Sequence, residues 1–345
     1  MRAVDYIIVG DGYAALFFAH QLIKSGKEFV LYSEGKKGAS QVSAGIINPV
    51  VLKKFTTFWL AQEQIDSLKE TLTEIALYTG QNYLIEEAIH RIFHDEKERE
   101  LWIKKAQSED LSPFLNIDFK FLDKVHNPFG AGKVNHSARL DVDRFFADML
   151  VYLKEQGHLM AERFDYNKLD AAKSTYASLV YGNLVFCEGM GVVKNPYFSE
   201  IQVVPNKGHH LKVRLAIALS NSYTLKKKHF LFPINSESYY YGGTYDRHQL
   251  EDGTDDSARE ELVKGLEELY PHSFEVEEVN FGFRPTVKDR RPILGNNIVY
   301  PNLYVFNGLG ARGILNGNFF AKSLINHIEA GVPLPEEVNL KRFQP

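Results

Sequence analysis

One cysteine, Cys187, stands in 345 residues, so the chain by itself makes no disulfide and offers no cysteine-rich metal site. That fits a reducing, cytoplasmic setting. No apolar run approaches the roughly 20 residues of a membrane-crossing helix. The first apolar run, Tyr6 to Val9, breaks at Gly10-Asp11-Gly12, short of a signal-peptide core. Excess charge is small as well: 40 lysines and arginines face 44 acids, a net charge of -4. The basic clusters (Lys36-Lys37, Lys53-Lys54, Lys226 to Lys228, Lys288 with Arg290 and Arg291) are short and scattered, which makes a general nucleic-acid footprint weak. The twelve histidines show no zinc spacing, and the adjacent His209 and His210 point to opposite faces of a strand. Repeats and low-complexity tracts are missing too. What is left is a soluble, intracellular chain, 44% hydrophobic, long enough for one large core or two smaller ones.

The opening stretch "YIIVGDGYAALFFAH" reads as a buried strand, a glycine turn and a helix from Ala14 to Ser25 with Gly26 just past its end. Phe29 to Tyr32 is a second buried strand, giving one right-handed βαβ unit. Phe55 to Tyr78 carries Ile65, Leu68, Leu72 and Ile75 at helical spacing and stops at Gly80. From Gln81 to about Lys133 the texture is less regular, with "HDEKERE" a solvated helix face. A helix over "RLDVDRFFADMLVYLKEQG" and a buried strand over "YGNLVFCEG" follow. Between Lys207 and Phe283, "HHLKVRL", "HFLFPI" and "YYYGGTY" read as antiparallel strands, with a helix over Ala258 to Tyr270. The C-terminal "LYVFNGLGARGILNGNFFAKSLINHIEAG" repeats the strand, glycine turn and helix of the opening. The βα-type segments thus fall in three separated blocks. The predicted architecture is α/β: a Rossmann-like nucleotide-binding domain (1–80, 133–206, 283–345) interleaved with an antiparallel-sheet α+β substrate or cap domain (81–132, 207–282).

Gly10-x-Gly12-x-x-Ala15 after a buried strand is a dinucleotide cradle with alanine in the third place. Gly10 permits the tight turn, Gly12 lets backbone approach a pyrophosphate, and Ala15 lets helix pack on strand. Tyr13 and Ala14 stand in the first helical turn, whose free N–H groups face the phosphates. The alternative is a tight strand-to-helix turn that binds nothing. The same pattern asks for an acid at the tip of the second strand to hold a ribose hydroxyl. The tip is Ser33, with Glu34 one place later. Glu34 reaching the ribose, Ser33 bonding it more weakly, and a merely solvated Glu34 all stay open.

The run "EGKKGASQVSAGIINPV" resembles the segment after the second strand in the D-amino-acid oxidase and glycine oxidase family of FAD-dependent oxidoreductases. "ARLDVDRFFADML", "VFCEGMG", "VPNKGHHL", "GFRPTVKDRRPILG" and "NGLGARGILNGNFFAKSLINHI" resemble further blocks of that family, across most of the chain. The resemblance implies FAD as cofactor. It implies a Gly38-Ala39-Ser40 turn beside the pyrophosphate, with Ala44 and Gly45 bringing backbone against the flavin. It places Phe164, beside Arg163, near the adenine and gives Gly189 a backbone role. The turn Gly310-Ala311-Arg312-Gly313 would form a second anion-ready helix start facing the flavin pyrimidine.

For substrate, the resemblance assigns Arg284 of "GFRP" to a carboxylate, a match for a guanidinium fork. The alternative is an arginine paired with an acid such as Asp289. Arg312 is read at flavin, substrate or domain interface. Tyr245 borders the active site, and of Tyr239 to Tyr241 most rings are packing. Cys187 is an inert small hydrophobe. The implied activity is oxidation of a C–N bond of a small amine or amino acid by hydride transfer to flavin N5, followed by imine hydrolysis. "LYSEG", "GTYD" and "GLGARGIL" are most similar to the oxidase half of the bifunctional bacterial enzyme acting on the wobble uridine of tRNA. The acidic net charge disfavours a tRNA partner. A flavin-binding protein without turnover is the non-enzymatic alternative.

Overall fold

The computed structural model describes residues 1–220 and 223–343. Its centre is strand β1 (Arg2–Val9), helix α1 (Tyr13–Lys24) and strand β2 (Phe29–Tyr32). Ile7 and Ile8 of β1 and Phe29 to Leu31 of β2 are wholly buried, as expected of strands covered on both faces. The two strands pair in parallel, Tyr6 opposite Phe29 and Val9 opposite Tyr32. On the other side β1 runs parallel to Leu179–Phe186, which in turn pairs in parallel with Leu303–Asn307. Leu159–Met160 extends the far edge beside β2. The helix Gly313–Ala330 packs against α1 and closes with Gly331 in the left-handed region.

A second sheet runs in the order Phe274–Thr286, Val204–Leu215, Ser238–Gly242, Phe230–Pro233, Thr224–Lys226, Ile89–Ile92, Ala131–Val134. It is antiparallel except where Thr224–Lys226 meets Ile89–Ile92. Helix Asp256–Leu269 buries Leu262, Leu266 and Leu269 against it. The fold is therefore mixed α/β, a mainly parallel sheet beside a mainly antiparallel one. The less regular segment after Gln81 supplies two of the second sheet's strands and the helix Glu96–Lys105, whose Trp102 is buried.

One expected element is shorter than predicted. The helix expected from Phe55 begins at Ala61 and ends at Thr79. Phe55 and Leu60 both take positive φ, and Thr56–Thr57 pairs with Val50–Val51 instead. A left-handed residue cannot continue a right-handed helix, so the hairpin and Leu60 set the start. The divisions expected at 206/207 and 282/283 fall inside paired strands: Asn206 stands opposite Arg284 and Gly208 opposite Gly282.

Candidate active site

The turn after β1 is built by contact with backbone. Gly10 sits at φ +114, and a Cβ there would lie 2.4 Å from the Cys187 carbonyl oxygen. Only glycine fits, and the Gly10 N–H donates to Tyr32 O at 2.9 Å, tying the turn to the end of β2. Gly12 precedes α1 without any side-chain cap, so the helix start keeps N–H groups for an anion. Ser40 stands over it: the Tyr13 N–H donates to Ser40 Oγ at 3.3 Å. The Tyr13 ring itself is buried among Phe17, Phe145 and Phe146, with its hydroxyl 2.8 Å from Ser43 Oγ. Ala14 and Ala15 are buried under the same turn. Gly45, at φ +68, accepts from the Leu140 N–H through its carbonyl, and a Cβ there would lie 2.3 Å from Leu140 O. Ala44 beside it is half-buried.

The β2 tip and the aromatic cluster beyond it form one end of the site. Phe164 stacks on Tyr176 with centroids 4.2 Å apart and meets Tyr32 edge-on. The neighbouring Arg163 pairs with Glu34 at 3.2 Å, and Lys36 approaches the same carboxylate at 3.3 Å. Glu34 is exposed and Ser33 buried, with Ser33 Oγ donating to Asp11 Oδ2 at 2.5 Å. Gly189, at φ +53, accepts from Asn307 Nδ2 through its carbonyl. Beside it, burial pushes the Glu188 carboxyl up, while Tyr166 and Asn195 donate to it.

At the other end stand two arginines without acidic partners among the described residues. Arg284 donates from Nη1 to Asn206 Oδ1 and Thr244 O, both at 3.1 Å, and lies 4.3 Å above the Tyr245 ring. It rests on the bare face of Gly208, where a Cβ would come within 2.3 Å of the guanidinium. Asp289, the acid considered for it, pairs with Arg342 at 2.9 Å. Arg312 donates to Asn48 O at 3.3 Å and lies 4.0 Å over Phe58. Burial pushes its guanidinium down to about 10, and the Tyr245 phenol acts against that shift. Arg312 ends the short 3₁₀ turn Gly310–Arg312, in which Ala311 is exposed, and Gly313 begins the last helix.

Ala39 and Val42 pack against Gly282, two residues before Arg284 on the same strand. The 38–45 segment thus links the first glycine turn to the arginines. Tyr240 stacks between His210 and Phe232, at 4.4 and 4.7 Å. Burial and the nearby Arg284 charge push His210 down to about 4, leaving it neutral near pH 7. Cys187 is buried, and burial raises its thiol well above the ordinary range.

The comparisons decide the family. The family model described as DAO, FAD dependent oxidoreductase, matches residues 5–326. The chain belongs to that family. This FAD-dependent oxidoreductase superposes on glycine oxidase from Geobacillus kaustophilus with a TM-score of 0.81 at 18% identity, covering 99% of this chain and 98% of that one. Iminodiacetate oxidase from Chelativorans sp. BNC1 gives 0.77 at 17% identity, with 99% and 98% covered. In sequence, the tRNA 5-methylaminomethyl-2-thiouridine biosynthesis bifunctional protein of Leptospira borgpetersenii is 26% identical over 209 residues, which is 50% of this chain and 32% of that protein. The chain therefore spans about a third of the curated relatives' length.

The residues present suit FAD. Two helices, α1 and Gly313–Ala330, start without side-chain caps, both next to glycine turns, and an aromatic cluster adjoins the β2 tip. Sequence reasoning passed over the residues that hold Arg284. Lys207 is fully buried; its Nζ donates to Asp255 Oδ1 and Glu251 O, both at 2.7 Å. His209 N donates to Thr244 Oγ1 at 2.8 Å, Thr244 N donates back to His209 O, and Lys207 and Asp246 exchange both backbone bonds. These clips fix the Thr244 carbonyl beside Arg284, next to the exposed Tyr245 ring. Single polar residues in strand patterns gave no signal of this.

Lys207→Met leaves the half-buried Asp255 without its lysine counter-charge. A stability loss of roughly 3 kcal/mol is expected, read as a lower urea midpoint of the FAD-loaded protein. An unchanged midpoint would show that the clip does not depend on the ion pair.

Proposed function

We propose that this oxidoreductase oxidises the C–N bond of a small amine or amino acid that carries a carboxylate. The observation behind the reading is Arg284: a guanidinium with no acidic partner among the described residues, bonded through one nitrogen to a carbonyl and an amide, and backed by an aromatic ring. A planar fork with donors left over suits a carboxylate held bidentately. Bound FAD supplies the two-electron acceptor for a hydride from the amine-bearing carbon. The Gly12–Ala15 helix start and Ser40 would hold its pyrophosphate, and the Gly310–Gly313 turn its pyrimidine end.

The chain's own part is placement. Arg284 orients the carboxylate, and Asn206 and Thr244 keep the guanidinium from swinging. Arg312 adds a second positive group in the same neighbourhood, as its interaction with Tyr245 indicates. Burial raises the Tyr240 phenol and lowers His210, so both stay neutral near pH 7. Substrate amine in its neutral form drives hydride loss by its lone pair, so no acid–base dyad is required; the imine hydrolyses in water. The sequence similarity to the bifunctional tRNA-modifying protein supports a second reading, in which the oxidised group is a carboxymethylaminomethyl substituent on tRNA wobble uridine.

Anaerobic mixing of the purified flavoprotein with glycine, sarcosine, D-amino acids and proline should bleach the oxidised-flavin spectrum with at least one of them. No bleaching by any would count against the small-amine reading. Arg284→Ala should raise the half-saturating concentration of that substrate about 100-fold, as loss of a charged hydrogen-bonded pair does, with FAD still bound. Loss of FAD as well would make Arg284 structural. In a gel shift with total tRNA at low salt, no complex is expected; a shift abolished by added salt would favour the tRNA reading.

A further inference from the structure

The tip of β2 carries a serine where a ribose-binding acid is called for. Glu34, one residue later, is exposed and engaged by Arg163 and Lys36. Yet a carboxylate does stand at the tip. It belongs to Asp11, the middle residue of the glycine turn after β1, and reaches across to β2. Ser33 Oγ donates to Asp11 Oδ2 at 2.5 Å, and Gln41 Nε2 donates to Oδ1 at 3.2 Å. Both supporting residues are themselves fixed: the Gly35 N–H donates to Ser33 Oγ at 3.1 Å, and the Gly38 N–H donates to Gln41 Oε1 at 3.0 Å.

No lysine, arginine or histidine pairs with Asp11 among the described residues. An ionised carboxylate only accepts hydrogen bonds and repels phosphate, so the part of a bound nucleotide that it suits is a neutral hydroxyl donor. Each Asp11 oxygen already takes one protein donor and keeps acceptor capacity for another. Helix α1 begins two residues later, and its dipole favours a negative charge here.

We propose that Asp11, held by Ser33 and Gln41, accepts the hydroxyls of the adenosine ribose of FAD. The acid has moved from the second strand to the glycine turn, and Ser33 is the residue that orients it. The proposal rests on the cofactor and is independent of the substrate, so its failure leaves the reading at Arg284 untouched.

The test is a ligand–protein cycle on the apoprotein, with affinity read from quenching of flavin fluorescence. The ligands are FAD and an FAD analogue with a 2′,3′-dideoxyadenosine. Wild-type protein should prefer FAD by about 10- to 100-fold, the range of charged hydrogen bonds. Asp11→Ala should lose most of that preference, binding FAD about as weakly as wild type binds the analogue. Asp11→Asn, which keeps an oxygen for Ser33 without the charge, guards against misfolding and should lose part of it. Glu34→Gln should keep it all. Undiminished preference in folded Asp11→Ala and Asp11→Asn would overturn the proposal, as would loss of the preference in Glu34→Gln.

Discussion

The close approach of α1 to the helix Gly313–Ala330 is the constraint on which the site depends. Gly313 and Gly317 lie one turn apart on one face of the later helix, and both meet Tyr13. A Cβ at Gly313 would stand 2.9 Å from the Tyr13 ring, and one at Gly317 3.2 Å from its Cβ. The ring is pressed between that face and Phe145 and Phe146. Two helices 300 residues apart in sequence are thereby brought together near their N-termini. In the proposed reading one dipole end would serve the pyrophosphate and the other the pyrimidine end of the same long cofactor, so the spacing between them is a packing quantity.

Charge is distributed along that line with a clear division. Lys207, wholly buried, is satisfied by Asp255 and a carbonyl, and it holds a turn in place. Among the described residues, Arg284 and Arg312 face carbonyls, an amide and aromatic rings, with no acidic partner. Burying a guanidinium without a counter-charge is unfavourable, and the depressed Arg312 registers that penalty. Such positions are tolerated where an anion arrives from outside. In the proposed reading a substrate carboxylate, and the negative charge that develops on the flavin pyrimidine as it is reduced, would be the anions, and the protein would supply the fixed positive field in advance.

How much of this was readable beforehand follows from the range of each interaction. The βαβ opening and the strand–turn–helix near the C-terminus were legible because apolar runs and glycines are local signals. The start of the helix at Ala61 was not, since left-handed Phe55 and Leu60 are set by the Val50–Thr57 hairpin rather than by apolar spacing. Arg284 could be picked from its motif, yet its partners Asn206 and Thr244 lie 78 and 40 residues away, with nothing local to mark them. Asp11 lay in full view inside the glycine turn, but its carboxylate gains meaning only once Ser33 of the neighbouring strand is seen to donate to it.

The two sheets also share a mechanical link. Val204–Leu215 and Phe274–Thr286 stay paired from Val204 opposite Thr286 to Leu215 opposite Phe274, so the strand that carries Arg284 is not a hinged attachment. At Gly282 that strand has no side chain, and a Cβ there would come within 2.7 Å of Val42 and 3.2 Å of Ala39. The 38–42 turn therefore packs on the backbone that positions Arg284. Any shift of the 38–42 turn is passed to Arg284 through two residues of strand. In the proposed reading, cofactor seating and substrate placement would thus be one geometric problem, and Gly282 is where they would meet.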